Sequence, residues 1–282
     1  MKLFRIGKIG EEKPATIDKD NNYRDLSSII EDLNPDTLNF NTLEKIEKSD
    51  ISSLPKLDTN LRIGACVSKP SKFIGIGLNF KDHAEEQNLP IPTEPIIFSK
   101  FTSCIAGPND PIIVPKGSDH TDWEVELGFV IGKKAINVSV EKALDHVLGF
   151  FLVNDVSERN FQKNRGLTWD KGKGFDTFGP IGPYIITKDE LPDFQKLDMF
   201  LDVDGKRMQT GNTEKMIFDI KTLVSYMSSC MSLHPGDICC TGTPPGVGEN
   251  MSPPKFLKGG EEVVLGIDKL GKQKHQVLPY KE

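Results

Sequence analysis

Apolar and polar residues alternate along much of the chain after residue 72, and this pattern predicts a structure rich in β-strands. The predicted strands are residues 73–78, 95–98, 112–114, 124–131, 149–153, 184–187, 199–203 and 237–240. Asp204-Gly205 separates two alternating runs and is typical of a two-residue hairpin turn. Residues 263–267 and 273–278 predict a second hairpin close to the C-terminus.

Helical periodicity is clear at two places in this part of the chain. Residues 140–148 predict a helix with Ser139 as its N-cap and Gly149 as its stop, and residues 213–231 predict a longer helix with one apolar stripe. Because helices do not follow the strands regularly, a doubly wound α/β fold is excluded. The expected fold class is α+β, a mixed and rolled β-structure with a few covering helices.

The first 70 residues show a different pattern and end in a connector over residues 50–72 that is rich in Ser, Pro, Lys and Asp. Residues 1–7 and 13–18 predict short strands, Asp25 is the expected cap of a helix over residues 26–33, and residues 38–46 predict a second helix. We therefore predict two domains. A small N-terminal α+β domain spans residues 1–70, and a catalytic β-roll domain spans residues 71–282.

Composition excludes several classes of protein. The 282 residues are 37% hydrophobic and 27% charged, which suits a globular chain, and the formal net charge of −6 argues against nucleic-acid binding. The N-terminus lacks the apolar region of a signal peptide, and no apolar run approaches the roughly 20 residues of a membrane span. The five cysteines are odd in number and show no CxxC motif, so we expect buried thiols in a reduced cytoplasm.

The first candidate for chemistry is a pair of carboxylates, Glu124 and Glu126, which alternate with three apolar residues. A strand places both carboxylates on one face, where they repel each other unless a cation lies between them. Asp155 ends the next apolar strand and is a third candidate ligand. With no His or Cys expected nearby, these three oxygen ligands favour Mg²⁺, Mn²⁺ or Ca²⁺ over Zn²⁺. For the pair taken alone, a solvated strand face is the alternative.

Two further pairs have the spacing of one helical turn. His83 and Glu86 lie three residues apart, so the carboxylate can orient the imidazole as a general base. Arg159 and Gln162 have the same spacing and can point together at an anionic or carbonyl group. Exposed polar helices and a surface ion pair are the alternatives.

Two glycine-rich segments add one candidate each. Lys173 stands between two glycines that permit close backbone approach to a ligand, and Thr243 follows the predicted strand over residues 237–240 in a loop stiffened by Gly and Pro. For each segment alone, a solvated loop or a structural turn is an equal alternative.

Together these segments resemble the fumarylacetoacetate hydrolase family. The matching segments, in the order and spacing of that family, are GLNFKDHAEE, DWEVELGFVIGK, NDVSERNFQ, GKGFDTFGP and PGDICCTGTPPGVG, within residues 70–282. The resemblance is to the bacterial branch of 2,4-diketo-3-deoxy-sugar-acid hydrolases and ureidoglycolate lyase-like proteins. It implies a mixed β-roll fold, a homodimer, and a site for Mg²⁺ or Mn²⁺ that Ca²⁺ can also occupy in crystals.

The resemblance also implies roles by position. It assigns metal ligation to Glu124, Glu126 and Asp155, catalysis to His83, Glu86 and Lys173, and substrate binding to Arg159, Gln162 and Thr243. The longer fumarylacetoacetate-cleaving members use one more acidic ligand upstream, where this chain has Asn79. That departure argues against fumarylacetoacetate itself as the substrate.

The implied activity is hydrolysis of the C–C bond of a 2,4-diketo acid (an acylpyruvate, with a 2,4-diketo-3-deoxy sugar acid expected) to pyruvate and a carboxylic acid. The partner is then a small-molecule substrate, without nucleic acid or membrane. A metal-dependent isomerase, decarboxylase or ureidoglycolate lyase acting on a related 2-oxo acid is the first alternative. A non-catalytic β-protein braced by a metal ion is an alternative of another class.

Overall fold

Two β-sheets dominate the computed structural model, which describes residues 1–166 and 168–281. The strands are β1 (Lys2–Ile6), β2 (Lys13–Ile17), β3 (Tyr23–Asp25), β4 (Phe73–Gly77), β5 (Ile96–Lys100), β6 (Ile105–Ala106), β7 (Ile112–Ile113), β8 (Thr121–Asp122), β9 (Val125–Ile131), β10 (Val147–Asn154), β11 (Ser157–Glu158), β12 (Gly179–Pro180), β13 (Ile185–Thr187), β14 (Asp198–Val203), β15 (Lys206–Asn212), β16 (Ile238–Cys240), β17 (Glu262–Ile267) and β18 (Gly271–Leu278). The helices are α1 (Phe40–Glu47), α2 (Lys81–Glu86), α3 (Arg159–Asn164), α4 (Asp170–Lys173) and α5 (Ile220–Cys230).

The larger sheet has nine strands in the order β3-β2-β1-β13-β10-β9-β16-β4-β5, and the smaller has five in the order β15-β14-β17-β18-β7. Most neighbours are antiparallel, while β4 pairs with β16 and β7 pairs with β18 in parallel. Residues of β14 and β17 contact β9, and residues of β17 and β18 contact β10. Because the second sheet packs against them, β9 and β10 are buried over their whole lengths. This mixed architecture confirms the α+β class.

Both predicted hairpins are present. Asp204 and Gly205 have φ angles of 51° and 71°, which suit the two-residue turn between β14 and β15. The C-terminal hairpin pairs β17 with β18 in regular antiparallel register.

Three helix predictions need correction, and two of them concern the chain after residue 72. The segment predicted over residues 140–148 is a 3₁₀-helix over Val140–His146, and Gly149 lies in β10, because the apolar run from Val147 is buried as a strand. The long helix predicted over residues 213–231 begins later, at Ile220, where the Asp219 side chain accepts a hydrogen bond from the Thr222 amide. The preceding residues form a separate 3₁₀-turn, Thr213–Lys215.

The predicted helix behind Asp25 does not form. Asp25 ends β3 and accepts a bond from the Ser27 amide. Within the described segment 26–33 only a single turn follows, in which the Ile29 and Ile30 amides both donate to the Leu26 carbonyl. The chain then reaches Pro35, which disfavours helical backbone at the residue before it. The apolar residues of this segment still enter the core.

The N-terminal strands continue the large sheet rather than forming one of their own. Leu3 of β1 pairs with Ile185 of β13, and Leu3, Leu26 and Leu33 belong to the same apolar core as β9 and β10. The proposed boundary at residue 70 therefore divides a shared sheet and stays a prediction, and residue 282 lies outside the described residues.

No helix within the described residues is both long enough and apolar enough to cross a bilayer. All five cysteines are free thiols; Cys230 is exposed and the other four are buried.

Candidate active site

The predicted site residues lie close together at one end of the central strands of the nine-stranded sheet. There β4, β10 and β16 end and β9 begins, because β16 runs parallel to β4 and antiparallel to β9. This end of the strands opens on a cavity of about 190 Å³. Its lining includes His83, Glu124, Glu126, Arg159, Gln162, Lys173 and Thr243, while Glu86 and Asp155 lie directly behind it, in contact with His83 and Lys173.

The three predicted metal ligands lie side by side. Glu126 belongs to β9, Glu124 precedes that strand, and Asp155 follows β10, with its amide bonded to the Glu124 carbonyl at 2.9 Å. All three are buried, the most exposed being Glu124 at 6%. Lys173 Nζ lies 2.8 Å from Glu124 Oε2 and 2.7 Å from Asp155 Oδ2, and Glu126 Oε2 accepts a bond from the Gly242 amide at 2.7 Å.

The pKa values of Glu126 and Glu124 are shifted in opposite directions. Burial, together with the nearby Asp155 and Glu124 carboxylates, raises the pKa of Glu126 well above its usual range. Burial also acts to raise the pKa of Glu124, but the adjacent Lys173 and Arg159 outweigh it and leave that pKa lowered. Glu126 thus faces two carboxylates, and the nearest buried cations are engaged by its neighbours.

The donor set fits a hard divalent cation. Glu126, Asp155 and Cys240 bring ligand atoms within 4.8 Å of one another, which corrects the expectation that no cysteine lies nearby. Burial and the nearby Glu126 and Asp155 raise the pKa of the Cys240 thiol well above its usual range, and sulfur is a soft ligand that hard divalent cations do not prefer. The carboxylate oxygens that remain are the ligands that Mg²⁺ and Mn²⁺ prefer.

Lys173 reaches this cluster from the last residue of α4. A Cβ added to Gly172 would lie 2.5 Å from the Glu158 carbonyl, so this glycine lets α4 pack closely against the chain before α3. The predicted close approach therefore occurs, but to protein backbone. Burial acts to lower the pKa of Lys173, whereas Asp155 and Glu124 raise it, and the net shift is upward, so the ammonium stays charged.

Arg159 and Gln162 do point together, as predicted, but at each other and at the carboxylates. Arg159 Nε donates to Asp122 Oδ2 at 2.8 Å, a terminal nitrogen donates to Gln162 Oε1 at 3.1 Å, and the other lies 2.7 Å from Glu124 Oε1. Arg159 therefore forms an ion pair with Glu124 while it is held by hydrogen bonds to Asp122 and Gln162. Its role as a substrate contact stays a prediction.

His83 and Glu86 form the predicted pair on α2. His83 Nδ1 lies 3.0 Å from Glu86 Oε2, and His83 Nε2 lies 2.7 Å from the Gln87 amide nitrogen, which can only donate. In this geometry Nδ1 donates to Glu86 and Nε2 accepts from the Gln87 amide, so Gln87 must turn away before Nε2 can take a proton from water. Burial acts to raise the pKa of Glu86, but bonds from His83 and Asn250 outweigh it and leave that pKa lowered, so the carboxylate is ionised.

Thr243 has its hydroxyl committed to the protein. It donates to the Val125 carbonyl at 2.9 Å and accepts from Gln209 Nε2 at 2.8 Å. Gln209 is fully buried in β15, also donates to the Pro244 carbonyl, and accepts from the Val125 amide at 3.0 Å. The side-chain amide of Gln209, which belongs to the five-stranded sheet, thus connects Val125 to the loop that contains Thr243.

Gln209, Lys100 and Asp122 are not among the site residues predicted from the sequence. Lys100 is buried in β5, with Nζ 2.5 Å from Asp155 Oδ1 and a further bond to the Lys173 carbonyl. Asp122 accepts from Gly248 at 2.7 Å and from Glu249 at 3.0 Å while it holds Arg159. A polar residue at an inward-facing strand position was the available signal for Gln209 and Lys100.

We expect Gln209→Leu to lower the free energy of unfolding by about 2–4 kcal/mol, because the Val125 amide and the Thr243 and Pro244 oxygens lose a buried partner. Gln209→Glu keeps the acceptor for Val125 but loses both donors, so an equal or larger loss is expected. Urea denaturation measures both, with the exposed Gln276→Leu as a control. A loss below 0.5 kcal/mol in Gln209→Leu, by the approximate scale of ordinary surface substitutions, would show that these bonds matter little.

Comparison with known proteins adds three findings. The sequence model of the family described as "Fumarylacetoacetate (FAA) hydrolase C-terminal" matches residues 72–278. A relative from Burkholderia ambifaria (strain MC40-6), named "Putative hydrolase", is 55% identical over 274 residues, 97% of each chain. Among solved structures, maleylpyruvate hydrolase from Sphingobium sp. SYK-6, in complex with manganese(II) and pyruvate, superposes with a TM-score of 0.82 at 26% identity and full coverage of both chains.

A second solved structure carries a different activity in its name. It is 2-hydroxyhepta-2,4-diene-1,7-dioate isomerase from Mycobacterium marinum, with a TM-score of 0.77, 29% identity and full coverage of both chains. Hydrolase and isomerase names therefore both occur among structures with this fold.

Proposed function

This chain belongs to the fumarylacetoacetate hydrolase family, and from that premise we propose that it is a divalent-metal-dependent hydrolase of 2,4-diketo acids. The reaction would cleave an acylpyruvate to pyruvate and a carboxylic acid. The observation that carries the proposal is the position of His83, which lies against Glu86 on the cavity that Glu124 and Glu126 also line. A hydrolase needs such a base to activate water.

Glu124, Glu126 and Asp155 would hold the cation, Mg²⁺ or Mn²⁺. When bound, the metal supplies a Lewis acid for the carbonyl and carboxylate oxygens of the substrate. The manganese and pyruvate named with the Sphingobium hydrolase support this choice of metal and product.

Three residues of the chain then take part in the proton transfers and in the stabilisation of charge. His83 Nε2 takes a proton from water, while Glu86 holds the Nδ1 proton and stabilises the imidazolium. The hydroxide adds to the distal carbonyl carbon, and the Lys173 ammonium can donate to the developing oxyanion. The oxyanion re-forms a C=O bond as the C–C bond breaks, the electron pair passes to C3 of the departing pyruvate, and that carbon takes up the proton that His83 gained from water.

An isomerase is the second candidate, because the Mycobacterium marinum structure bears that activity in its name. Oxaloacetate decarboxylation and ureidoglycolate cleavage belong to the same group of alternatives. Hydrolysis needs an activated water molecule and these alternatives do not. Loss of the His83–Glu86 pair should therefore slow hydrolysis more than the alternatives. The homodimer and the cytoplasmic location implied by the sequence stay predictions.

A substrate panel tests the proposal. We expect release of pyruvate from acetylpyruvate or from a 2,4-diketo-3-deoxy sugar acid in the presence of Mg²⁺, and its loss with a chelator. Oxaloacetate and ureidoglycolate complete the panel. Turnover of oxaloacetate alone would reassign the chain as a decarboxylase. No turnover across the panel would contradict the proposal and leave an isomerase or a structural metal site.

A further inference from the structure

Two aromatic rings fill the space left by two glycines of β4. A Cβ on Gly75 would lie 2.1 Å from Phe98 Cζ, and a Cβ on Gly77 would lie 2.2 Å from Trp169 Cζ3. The two ring centroids are 5.6 Å apart. Since no other residue leaves room for these rings, the glycines of the FIGIG strand position an aromatic wall, which we define as Phe98, Trp169 and the adjoining Ile96.

The aromatic wall lines the same cavity as the carboxylates. It begins beside Lys173, whose Nζ lies 5.1 Å from the Phe98 ring centroid. From there it extends to Trp169 and then to Ile96, whose Cγ2 would lie 3.4 Å from a Cβ on Gly77. A group attached to a carbonyl beside Lys173 therefore meets apolar surface.

The described residues of the cavity offer no unpaired cation to a charged group at the far end of the substrate. Among the described residues that line the cavity, each Lys or Arg already contacts a carboxylate: Lys163 pairs with Glu249 at 2.5 Å, and Arg159 and Lys173 with the cluster above. Gln87 is bonded to His83. Burying a second carboxylate or several hydroxyls here would leave polar groups poorly paired, which is unfavourable.

The cavity is also small. Its volume of about 190 Å³ lies below the roughly 300–1,000 Å³ of typical small-molecule sites. A compact substituent is therefore favoured over a long or branched one.

We propose that the aromatic wall is the acyl subsite, and that the substrate is an acylpyruvate with a short, uncharged alkyl or alkenyl acyl group. This rests on the proposed function for the reaction, but the subsite can be tested by binding alone. It replaces the polyhydroxylated sugar acid expected from the sequence with a diketo acid whose acyl group is apolar.

The test uses three six-carbon 2-oxo acids that differ only along the chain: 2-oxohexanoate, 2-oxoadipate and 2-oxo-3-deoxygluconate. Calorimetric titration of the Mn²⁺-loaded protein is expected to show 2-oxohexanoate binding at least tenfold more tightly than the other two, since each buried methylene contributes roughly fourfold. Equal or tighter binding of the diacid or the hydroxylated acid would overturn the subsite, whatever the reaction proves to be.

Variants locate the effect on the wall. Trp169→Ala is expected to reduce the preference for 2-oxohexanoate to below threefold, and Ile96→Asn, a change at a residue that is 37% exposed and so tolerant, is expected to shift the preference in the same direction. Tyr280→Ala, an exposed aromatic outside the cavity, serves as the control and should leave the preference unchanged. A preference that survives both wall variants would place the acyl group elsewhere.

Turnover separates this inference from the proposed function. Cleavage of butanoylpyruvate at a higher kcat/KM than a 2,4-diketo-3-deoxy sugar acid is the expected result. Cleavage with the opposite order would overturn the subsite and leave the hydrolase intact. Absence of any cleavage, with the binding preference present, would overturn the hydrolase and leave the apolar subsite intact.

Discussion

Glu126→Gln is expected to abolish tight binding of Mg²⁺ and Mn²⁺ and to reduce turnover by about a thousandfold or more, the equivalent of roughly 4 kcal/mol. The buried cluster contains four carboxylates, those of Asp122, Glu124, Glu126 and Asp155, and three cations, those of Lys100, Arg159 and Lys173. Glutamine has nearly the same shape but cannot ionise, so it removes a potential anionic ligand without opening a cavity.

Folding should respond in the opposite direction to binding. Because the pKa of Glu126 is raised in the metal-free fold, this residue lowers the free energy of unfolding at neutral pH, so Glu126→Gln is expected to unfold at an equal or higher urea concentration than the parent protein. Its amide oxygen can still accept the bond from Gly242. A stable variant that no longer binds metal would identify Glu126 as a residue retained for function at the expense of stability.

Calorimetry with Mn²⁺, together with urea denaturation, measures both effects. Glu47→Gln on α1, an exposed carboxylate removed from the cavity, is the matched control. An affinity for Mn²⁺ within threefold of the parent protein would remove Glu126 from the set of ligands. Asp155→Asn should also lose metal, but with lower stability, since Lys100 and Lys173 each lose a charged partner.

Sequence reasoning identified the strands that carry the site because their signals are local. The alternation around Glu124 and Glu126 and the apolar run before Asp155 fall in β9 and β10, and the family motifs named the same residues. Helix ends were less accurate, because burial turned the segment from Val147 into a strand. Hydrophobic periodicity describes one segment at a time and contains no information about such packing.

The residues that sequence reasoning missed act across long chain separations. Gln209 meets Val125 from another sheet, and Lys100 reaches Asp155 from the edge strand β5. Cys240 joins the carboxylates only because β16 lies beside β9. Such contacts depend on strand order, which the pattern of one strand does not contain. The FIGIG glycines were visible in the sequence, but their aromatic partners were not.

His83→Asn is expected to lower the hydrolytic kcat by about 10²–10⁴-fold with little change in Mn²⁺ affinity. The reason is geometric: His83 lines the cavity from α2, whereas the predicted metal ligands lie in β9, directly before it, and directly after β10. Asparagine can donate to Glu86 as the imidazole does, but it has no basic nitrogen. The loss should therefore be one of catalysis and not of folding.

Glu86→Gln gives a graded test of the same pair, because it removes the charge that stabilises the imidazolium but leaves His83 in place. We expect an intermediate loss of roughly 10–100-fold, and a double variant no slower than His83→Asn alone, since the two residues act as one unit. His120→Asn is the matched control, a histidine that also contacts a carboxylate, Asp119, but does not line the cavity.

The pair also separates the candidate reactions. Stopped-flow and steady-state assays on a diketo acid and on oxaloacetate should show hydrolysis falling in both variants, whereas any decarboxylation should persist within a fewfold because it needs no activated water. Hydrolysis that continues within threefold of the parent rate in His83→Asn would remove the dyad from the mechanism. In that case the activated water would require another base, and the proposed hydrolase would lose the observation on which it stands.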